Sequence, residues 1–467
     1  MRMTVSEVLW ATGGTLVHPR RLAATTAGQP IGHVALDSRH VRPRSLFVAL
    51  PGERVDGHDF VGAAFASGAS LALVAADRWS GRDPGARIPA DRVVIAVPDT
   101  AAALQRLASV HRSRQSATRL AITGSNGKTT LRHVLATVLA ERWSTYQAER
   151  NLNSDVGLPL AVLGIGPEHR FAVLEAGINY LGEMDQIGAV VRPHMAVVTN
   201  VGTAHIGLLE SRERIVREKS RLFLYVRSGG SLVVPEESED LEKTADAAAV
   251  GVHGNVVQFG PRTTLGYEGS ESMGLDGSRI HWEGLPIHFP LFGKHNLAAV
   301  LAAITIGRLL GLEPEEIQAG LEQVTAMPGR NEVIAGRITI VNDAYNANPE
   351  SMAAALGFFA TLSGSGRLVA VLGSMLELGD HSECAHRELG RRAADAGLDV
   401  IFFFGAETAP AAQALAASGF DGPSLWTDDY DLLAERVAGE ARPGDRVLLK
   451  GSRGVALERL VPVLQAA

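Results

Sequence analysis

The sequence predicts an α/β protein built from three domains. Short β-branched runs alternate with Ala/Leu-rich helical stretches along the whole chain, a pattern typical of βαβ units and mostly parallel sheets. The chain has 467 residues, and single hydrophobic cores stop growing near ~250 to 300 residues, so several domains are expected. One strand, Arg119–Thr123, runs directly into a glycine-rich turn and a helix, which marks the start of the central sheet.

The first domain is predicted over residues 1–98. Strand-like runs separated by glycine-rich turns follow each other there: His33–Leu36, Leu46–Leu50, Leu71–Val74 and Val93–Val97. They predict a small N-terminal α/β domain.

The second domain is predicted over residues 99–327 and begins with a helix at Thr100–Arg112. After Arg119–Thr123, the apolar runs Phe171–Leu174 and Met195–Thr199 extend a buried parallel sheet. Turn signals within Gly251–Pro290 predict antiparallel hairpins appended to this domain.

The third domain is predicted over residues 328–467, after the turn Met327-Pro328-Gly329. Strand-like runs separated by helical stretches are Ile338–Val341, Leu368–Leu372, Val400–Phe404 and Arg446–Leu449. They predict a small doubly wound, Rossmann-like sheet.

Composition narrows the class of protein. Hydrophobic residues make up 46% and charged residues 20%, so the chain is expected to fold throughout. A net charge of -7 argues against a broad nucleic-acid or membrane-surface footprint. The single cysteine, Cys384, excludes an internal disulfide framework and suits a reducing compartment. The N-terminus has no continuous apolar signal region and no stretch is long enough to span a bilayer, so a cytoplasmic location is expected.

The clearest local signal is the loop Gly124-Ser125-Asn126-Gly127-Lys128-Thr129-Thr130 between a strand and a helix. Glycines let backbone amides approach phosphates, the helix N-terminus favours negative charge, Lys128 reaches terminal phosphates and Thr129 can hold Mg²⁺. The loop is two residues tighter than the usual G-x-x-x-x-G-K-[ST] pattern. The loop predicts nucleotide binding on a P-loop ATPase-like sheet; the alternative is a purely structural turn. No GxGxxG dinucleotide-binding fingerprint occurs at this position, which disfavours a redox role.

Three further residues are candidates for a metal site. Glu175 follows an apolar strand and His205 follows the next one, so both should emerge at the carboxyl edge of the sheet. Lys219 lies among Ile215, Leu222 and Phe223 on the apolar face of a helix predicted over Arg212–Val226. Either Lys219 extends its ammonium to the surface, or CO₂ carbamylates it to give an anionic oxygen ligand for Mg²⁺.

Several segments, in this order along the chain, resemble those of the Mur ligase family. They are TGSNGKTT at 123–130, NLNSDVGLPL at 151–160, EAGINYLGEM at 175–184, NVGTAHIGLLES at 200–211 and NDAYNANPESM at 342–352. The last of these, with VLGSMLELGDHS at 371–382 and LLKGSRG at 448–454, looks like the members that add D-alanyl-D-alanine. Leu36–Phe60, with Arg39, Arg42, Arg44 and Arg54, resembles the domain that holds the uridine diphosphate end of the substrate.

The resemblance implies a role for each matching residue. Lys128 would bind phosphate, and Thr129 and Glu175 would hold one Mg²⁺. His205 and carbamylated Lys219 would hold a second Mg²⁺. The implied catalytic residues are Lys128, Glu175, His205 and Lys219. The implied ATP-binding residues are Gly124, Ser125, Asn126, Gly127, Lys128, Thr129, Thr130, Asn296, Arg330 and Asp343. The implied substrate-binding residues are Ser38, Arg39, Asn151, Asn153, Ser154, Asp155, Tyr345, Asn346, Lys450 and Arg453.

The implied activity is that of a monomeric, ATP-dependent and Mg²⁺-dependent ligase of peptidoglycan precursor synthesis. ATP would convert the terminal carboxylate of UDP-N-acetylmuramoyl-tripeptide into an acyl phosphate, which the amine of D-alanyl-D-alanine attacks. The third domain should close over the site, because water would hydrolyse that intermediate. The alternatives are the diamino-acid-adding Mur ligase, a folate-type polyglutamate ligase and a non-catalytic P-loop nucleotide-binding regulator.

Overall fold

The computed structural model describes residues 3–52, 55–80, 88–148, 151–204, 206–364 and 366–467. It confirms the predicted α/β class and three-domain architecture, because helices alternate with mostly parallel sheets and the main sheets follow one another along the chain. The domain boundaries after residues 98 and 327 stay predictions. Among the described residues, no helix has the length and apolar character needed to cross a membrane.

The N-terminal sheet has the strand order β2-β7-β6-β5-β4, with β1 and β3 paired beside it. The strands are β1 (Met3–Thr4), β2 (Thr15–His18), β3 (Pro30–Ile31), β4 (His33–Ala35), β5 (Ser45–Val48), β6 (Leu71–Ala75) and β7 (Val93–Val97). The helices are α1 (Val5–Thr12), α2 (Ala24–Ala27), α3 (Val61–Ala66) and α4 (Ala76–Trp79). Leu46 and Leu73 belong to a core that continues through Leu104 into the middle domain, so apolar packing joins these two domains.

The middle sheet has the order β13-β12-β11-β8-β10-β9 and is parallel throughout. Its strands are β8 (Thr118–Thr123), β9 (Thr145–Gln147), β10 (Phe171–Glu175), β11 (Met195–Val198), β12 (Ser231–Pro235) and β13 (Asn255–Phe259). The helices are α5 (Thr100–Ser113), α6 (Lys128–Ala140), α7 (Gly157–Leu163), α8 (Glu183–Val191), α9 (Ile206–Leu209), α10 (Arg212–Ser220), α11 (Glu239–Val252), α12 (Leu297–Leu310) and α13 (Pro314–Glu322). Because neighbouring β8, β10 and β11 are parallel, their carboxyl ends meet at one edge of the sheet.

An antiparallel sheet of order β14-β15-β16 is appended to this domain, with strands β14 (Tyr267–Ser272), β15 (Ser278–Trp282) and β16 (Leu285–Phe289). The prediction for Gly251–Pro290 was therefore only partly right, because Asn255–Phe259 pairs in parallel with β12 as an edge strand. The helix predicted over Arg212–Val226 was too long, because its α-helical part ends at Ser220 and a 3₁₀ turn over Arg221–Tyr225 follows.

The C-terminal sheet has the order β17-β18-β22-β19-β20-β21, parallel except for the edge strand β17. The strands are β17 (Glu332–Ile334), β18 (Thr339–Asn342), β19 (Leu368–Gly373), β20 (Val400–Phe404), β21 (Ser424–Thr427) and β22 (Arg446–Lys450). The helices are α14 (Pro349–Phe359), α15 (Ser382–Asp395), α16 (Ala409–Ala417), α17 (Tyr430–Glu440) and α18 (Leu460–Ala466). The carboxyl ends of β18 and β22 point Asp343 and Lys450 toward the middle domain, where both line a shared cavity.

Candidate functional site

The glycine-rich loop between β8 and α6 takes the form that phosphate binding needs. Gly124 has a φ of 145°, and a Cβ added there would lie 1.9 Å from Thr199 Oγ1, so only glycine fits this approach of two strands. Gly127 has a φ of 76° and caps the N-terminus of α6. The positive end of α6 and its first free amides therefore face the space above the loop.

The segment after β11 holds this loop in place. The amides of Ser125 and Asn126 donate to Asn200 O and Asn200 Oδ1 at 3.0 and 2.9 Å. Thr199 Oγ1 donates to Asn126 O at 2.6 Å, and Gly202 N donates to Ser125 Oγ at 2.9 Å. These bonds fix the loop before any ligand binds, which lowers the entropy lost on binding.

Two lysines converge on one backbone carbonyl of the loop. Lys128 Nζ donates to Gly124 O at 2.8 Å and to Ser125 O at 3.3 Å, and Lys219 Nζ donates to the same Gly124 O at 3.1 Å. Lys219 is fully buried, so the alternative in which its ammonium reaches the surface is wrong.

Burial controls the charge of both amines. Loss of hydration, and then the nearby Lys128 cation, hold the pKa of Lys219 well below its usual range. Loss of hydration also lowers the pKa of Lys128, against the opposing effect of Glu175. A low pKa raises the fraction of Lys219 in the neutral form, which is the form that reacts with CO₂.

Glu175 lies at the end of β10, buried beside the loop. Its Oε1 accepts from Asn153 Nδ2 at 2.9 Å, and its Oε2 lies 3.8 Å from Arg132 Nε. In the described part of the chain Oε2 has no hydrogen-bond partner. A buried carboxylate oxygen with free lone pairs, in a cavity that Thr129 also lines, fits a hard cation such as Mg²⁺. His205 lies outside the described residues.

A cavity of about 570 Å³ joins the phosphate loop to the C-terminal domain. It brings together most of the predicted site residues: Ser125, Asn126, Gly127, Lys128, Thr129, Thr130, Asn151, Asn153, Glu175, Asn296, Arg330, Asp343, Tyr345, Asn346 and Lys450. Side chains from two domains thus surround one polar space next to a helix N-terminus.

The C-terminal wall of this cavity is held by charge pairing and stacking. The buried Lys450 Nζ lies 2.6 Å from Asp343 Oδ2 and donates to Asn346 O at 3.2 Å. The Arg330 guanidinium lies 3.9 Å from the centre of the Tyr345 ring, which is cation–π geometry. These contacts leave Arg330 facing the cavity as a cation for anionic ligands.

Other predicted residues do not line this cavity. Ser154 Oγ accepts from Gly157 N at 3.0 Å, and Asp155 Oδ2 accepts from Tyr180 at 2.8 Å, so both shape the neighbouring loop. Arg453 pairs with Glu458 at 2.7 Å.

The predicted uridine diphosphate contacts belong to the N-terminal domain. Ser38 and Arg39 form part of a 3₁₀ turn there, and Arg39 pairs with Asp37 at 2.6 Å. Arg54 lies outside the described residues.

Sequence reasoning missed three polar residues of the site. Arg132 faces Glu175 from α6, and its position four residues after Lys128 on the same helix face was a usable signal. Asn348 Nδ2 donates to Asn126 Oδ1 at 2.7 Å, and Glu350 accepts from Thr203 at 2.8 Å. Both contacts cross between domains, and no local pattern indicates them.

Comparison with known families accounts for most of the chain. Residues 30–112 match the description "Mur ligase family, catalytic domain", residues 122–307 match "Mur ligase middle domain", and residues 329–453 match "Mur ligase, glutamate ligase domain".

Individual relatives are similar over almost their full length. The UDP-N-acetylmuramoyl-tripeptide--D-alanyl-D-alanine ligase of Treponema pallidum is 36% identical, over 100% of this chain and 99% of the relative. A crystal structure of MurF from Acinetobacter baumannii has a TM-score of 0.85 and 30% identity, over 100% of this chain and 99% of that one. MurF from Thermotoga maritima in complex with ADP has a TM-score of 0.77 and 27% identity, over 93% and 97%.

Proposed function

The chain belongs to the Mur ligase family, and we propose that it joins D-alanyl-D-alanine to UDP-N-acetylmuramoyl-tripeptide in an ATP-dependent reaction of peptidoglycan precursor synthesis. The observation that carries this is the single cavity in which Lys128 and Glu175 of the middle domain face Arg330, Asp343 and Lys450. Relatives of that activity align over the whole chain.

The reaction needs two anions, a carboxylate and ATP, in line with each other. A carboxylate oxygen of the tripeptide attacks the γ-phosphorus, ADP leaves, and an acyl phosphate forms. The amine of D-alanyl-D-alanine then attacks the carbonyl carbon, and inorganic phosphate leaves with the former carboxylate oxygen. Preorganised cations and amides lower this barrier by stabilising the charge that develops on phosphate. In the proposal the loop amides, Lys128 and Arg330 supply that stabilisation.

The finer assignments of the ATP site belong to the same proposal. Asn296 and Asp343 contact the nucleotide; Asn296 donates to Phe292 O at 2.7 Å, which orients its amide at the start of α12. The relative from Thermotoga maritima in complex with ADP supports adenine nucleotide binding by this chain.

Mg²⁺ supplies charge neutralisation of the phosphates when bound. Thr129 and Glu175 would hold one ion, and Glu175 Oε2, which has no hydrogen-bond partner among the described residues, supports this. His205 and carbamylated Lys219 would hold the second. The carbamate would form when the neutral Lys219 amine attacks CO₂ and releases a proton, which places an anion next to the loop.

The two substrates would enter from opposite domains. The Asn151, Asn153, Ser154 and Asp155 loop would hold the muramoyl-peptide portion, and Ser38 and Arg39 the uridine diphosphate. Tyr345, Asn346, Lys450 and Arg453 would face the amine substrate from the C-terminal domain. The proposed location is the cytoplasm, and the proposed state is a monomer.

A phosphate-release assay that crosses acceptors with amines tests this function. UDP-N-acetylmuramoyl-tripeptide with D-alanyl-D-alanine should release phosphate, and omission of either substrate should abolish the release. Release with UDP-N-acetylmuramoyl-dipeptide and a diamino acid would instead favour the diamino-acid-adding ligase. Phosphate release that ignores both substrates would favour a nucleotide-binding regulator.

A further inference from the structure

Glu350 of the C-terminal domain contacts the middle domain, and the proposed function gives it no role. It lies in the first turn of α14, and its Oε1 accepts from both Thr203 N and Thr203 Oγ1 at 2.8 Å. Its Oε2 is buried and has no hydrogen-bond partner among the described residues. The carboxylate also lines the ATP cavity. A half-buried carboxylate that crosses a domain junction and accepts two hydrogen bonds calls for a functional explanation.

The backbones around Glu350 are shaped for this contact. A Cβ added at Gly202 would lie 2.9 Å from Glu350 Oε1, so glycine permits the approach. A second contact lies nearby, where Gly207 N donates to Glu377 O at 3.2 Å. A Cβ added at Gly207 would lie 2.5 Å from Gly379 N. Two independent close approaches therefore seat the C-terminal domain on the same segment of the middle domain.

That segment is connected to the phosphate loop. Thr203 follows Gly202, whose amide donates to Ser125 Oγ at 2.9 Å. Asn348, two residues before Glu350, caps α14 and donates directly to Asn126 Oδ1 at 2.7 Å. The first turn of α14 thus reaches the loop by two routes, one direct and one through Thr203.

We infer that Glu350 is a positioning residue of the ligation reaction: by accepting hydrogen bonds from Thr203, it couples closure of the C-terminal domain to the geometry of the phosphate loop. This inference rests on the proposed function, because closure matters for a reaction that joins groups bound by two domains. In this inference Glu350 acts through Thr203 and not directly on the reacting atoms. The positioning depends on the Glu350 oxygen that accepts these hydrogen bonds and not on the negative charge of the carboxylate.

Substitutions can separate the acceptor from the charge. Glu350→Ala should lower kcat about 10-fold, as expected for losing both hydrogen bonds from Thr203, with the KM for ATP within about twofold of wild type. Glu350→Gln keeps an oxygen that can accept both bonds and should retain most of the rate. Thr203→Val, which keeps the amide donor, should lower kcat about 3-fold. The double variant Glu350→Ala with Thr203→Val should be no slower than Glu350→Ala alone.

Glu383→Ala is the matched control, since Glu383 also lies in the first turn of a C-terminal-domain helix but pairs with the exposed Arg387 on the surface. It should leave kcat unchanged. Three results would overturn the inference: a Glu350→Gln variant as slow as Glu350→Ala, a wild-type rate for Glu350→Ala, or additive losses in the double variant. Thermal unfolding midpoints within a few degrees of wild type establish that the variants fold.

Amide hydrogen exchange tests the contact without depending on the substrate. In the full-length chain with ADP, peptides that contain Thr203 should exchange faster in Glu350→Ala than in wild type or Glu350→Gln. Unchanged exchange in Glu350→Ala would exclude the coupling even if kcat fell. If the wild-type enzyme releases no phosphate with D-alanyl-D-alanine, the proposed function fails, and the exchange result still decides whether Glu350 holds Thr203 in place.

Discussion

The middle sheet has buried or half-buried cations both at the amino ends of its strands, here called the amino edge, and at their carboxyl ends, the carboxyl edge. The cations at the two edges differ in what they bind. At the amino edge, Arg119 Nε, Nη1 and Nη2 donate to the carbonyls of Val191, Ala117 and Arg192 at 2.9, 3.0 and 3.2 Å. At the carboxyl edge, Lys128 and Lys219 share one carbonyl next to a cavity of about 570 Å³.

The contacts of these side chains distinguish a structural cation from one that indicates a ligand. Arg119 uses two of these donors on carbonyls at the C-terminus of α8, where the helix dipole favours positive charge, so it is a structural residue. Lys128 keeps donor capacity beside the cavity, where phosphate can complete its partners, and the fully buried Lys219 shares its carbonyl acceptor. Burial alone does not identify a site, whereas unused hydrogen-bonding capacity beside a cavity does.

The largest expected effect lies at the carboxyl edge. Lys128→Ala should lower kcat by at least ~10²-fold, because it removes one preorganised donor from the developing phosphate charge. Thermal unfolding should be nearly unchanged, since the side chain adds little to the core. Lys243→Ala, on an exposed i,i+4 pair with Glu239, is the control and should be silent. Near wild-type turnover of folded Lys128→Ala would show that the carboxyl-edge lysine, like the amino-edge arginine, has no role in the reaction.

Lys219 tests whether the second carboxyl-edge lysine acts as an anion. Lys219→Ala should be nearly inactive, and acetate or formate should restore part of the activity by filling the space that the carbamate occupied. Lys219→Arg should resist rescue, because its guanidinium stays charged and fills the space. Native mass spectrometry at neutral pH should detect about 44 Da of added mass, the mass of CO₂, on fully active wild-type protein. Full activity of Lys219→Ala would show that Lys219, like Arg119, is a structural residue and not a metal ligand.

The amino edge should respond through stability alone. Arg119→Met leaves three backbone carbonyls without donors, which should lower the free energy of unfolding by about 2–4 kcal/mol. The kcat per folded molecule should stay within about twofold of wild type, as measured after correction for the folded fraction. Arg387→Met removes an exposed arginine from a surface pair and should change stability by less than about 0.5 kcal/mol. A specific loss of kcat in Arg119→Met would mean that the amino edge has a chemical role.

The smallest effect is a pH dependence at the amino edge. Loss of hydration, and then Arg119 and Arg227, lower the pKa of His194 from 6.5 to about 4. The unfolded chain therefore binds more protons between these values, so stability is present above about pH 6.5 and falls as pH drops toward 4.

His194→Asn isolates this dependence, because Asn Oδ1 can replace His194 Nδ1 as acceptor for Arg119 N. Between pH 6.5 and 4, wild type should lose about 1 kcal/mol more than the variant, or ~2–4 °C in melting temperature, after allowance for solvent screening. If stability depended on pH in the same way in both proteins, His194 would not be held in its neutral form by the fold.

The sequence predicted those parts of the site that depend on local pattern. Glu175 was found because it follows an apolar strand, and Lys219 because it interrupts an apolar stripe. The strand Asn255–Phe259 was misread because a short edge strand before true hairpins carries the same turn signals. Glu350 and Asn348 were not identified because their partners, Thr203 and Asn126, are distant in sequence and belong to another domain.

The central claim is that this carboxyl edge activates a carboxylate by phosphoryl transfer. The most direct test labels the terminal carboxylate of UDP-N-acetylmuramoyl-tripeptide with ¹⁸O and analyses the released phosphate by mass spectrometry in the presence of ATP, Mg²⁺ and D-alanyl-D-alanine. An acyl phosphate transfers a carboxylate oxygen to phosphate, so each phosphate released should carry one ¹⁸O. Unlabelled phosphate would show that water, and not the substrate carboxylate, attacks ATP, and it would contradict the account.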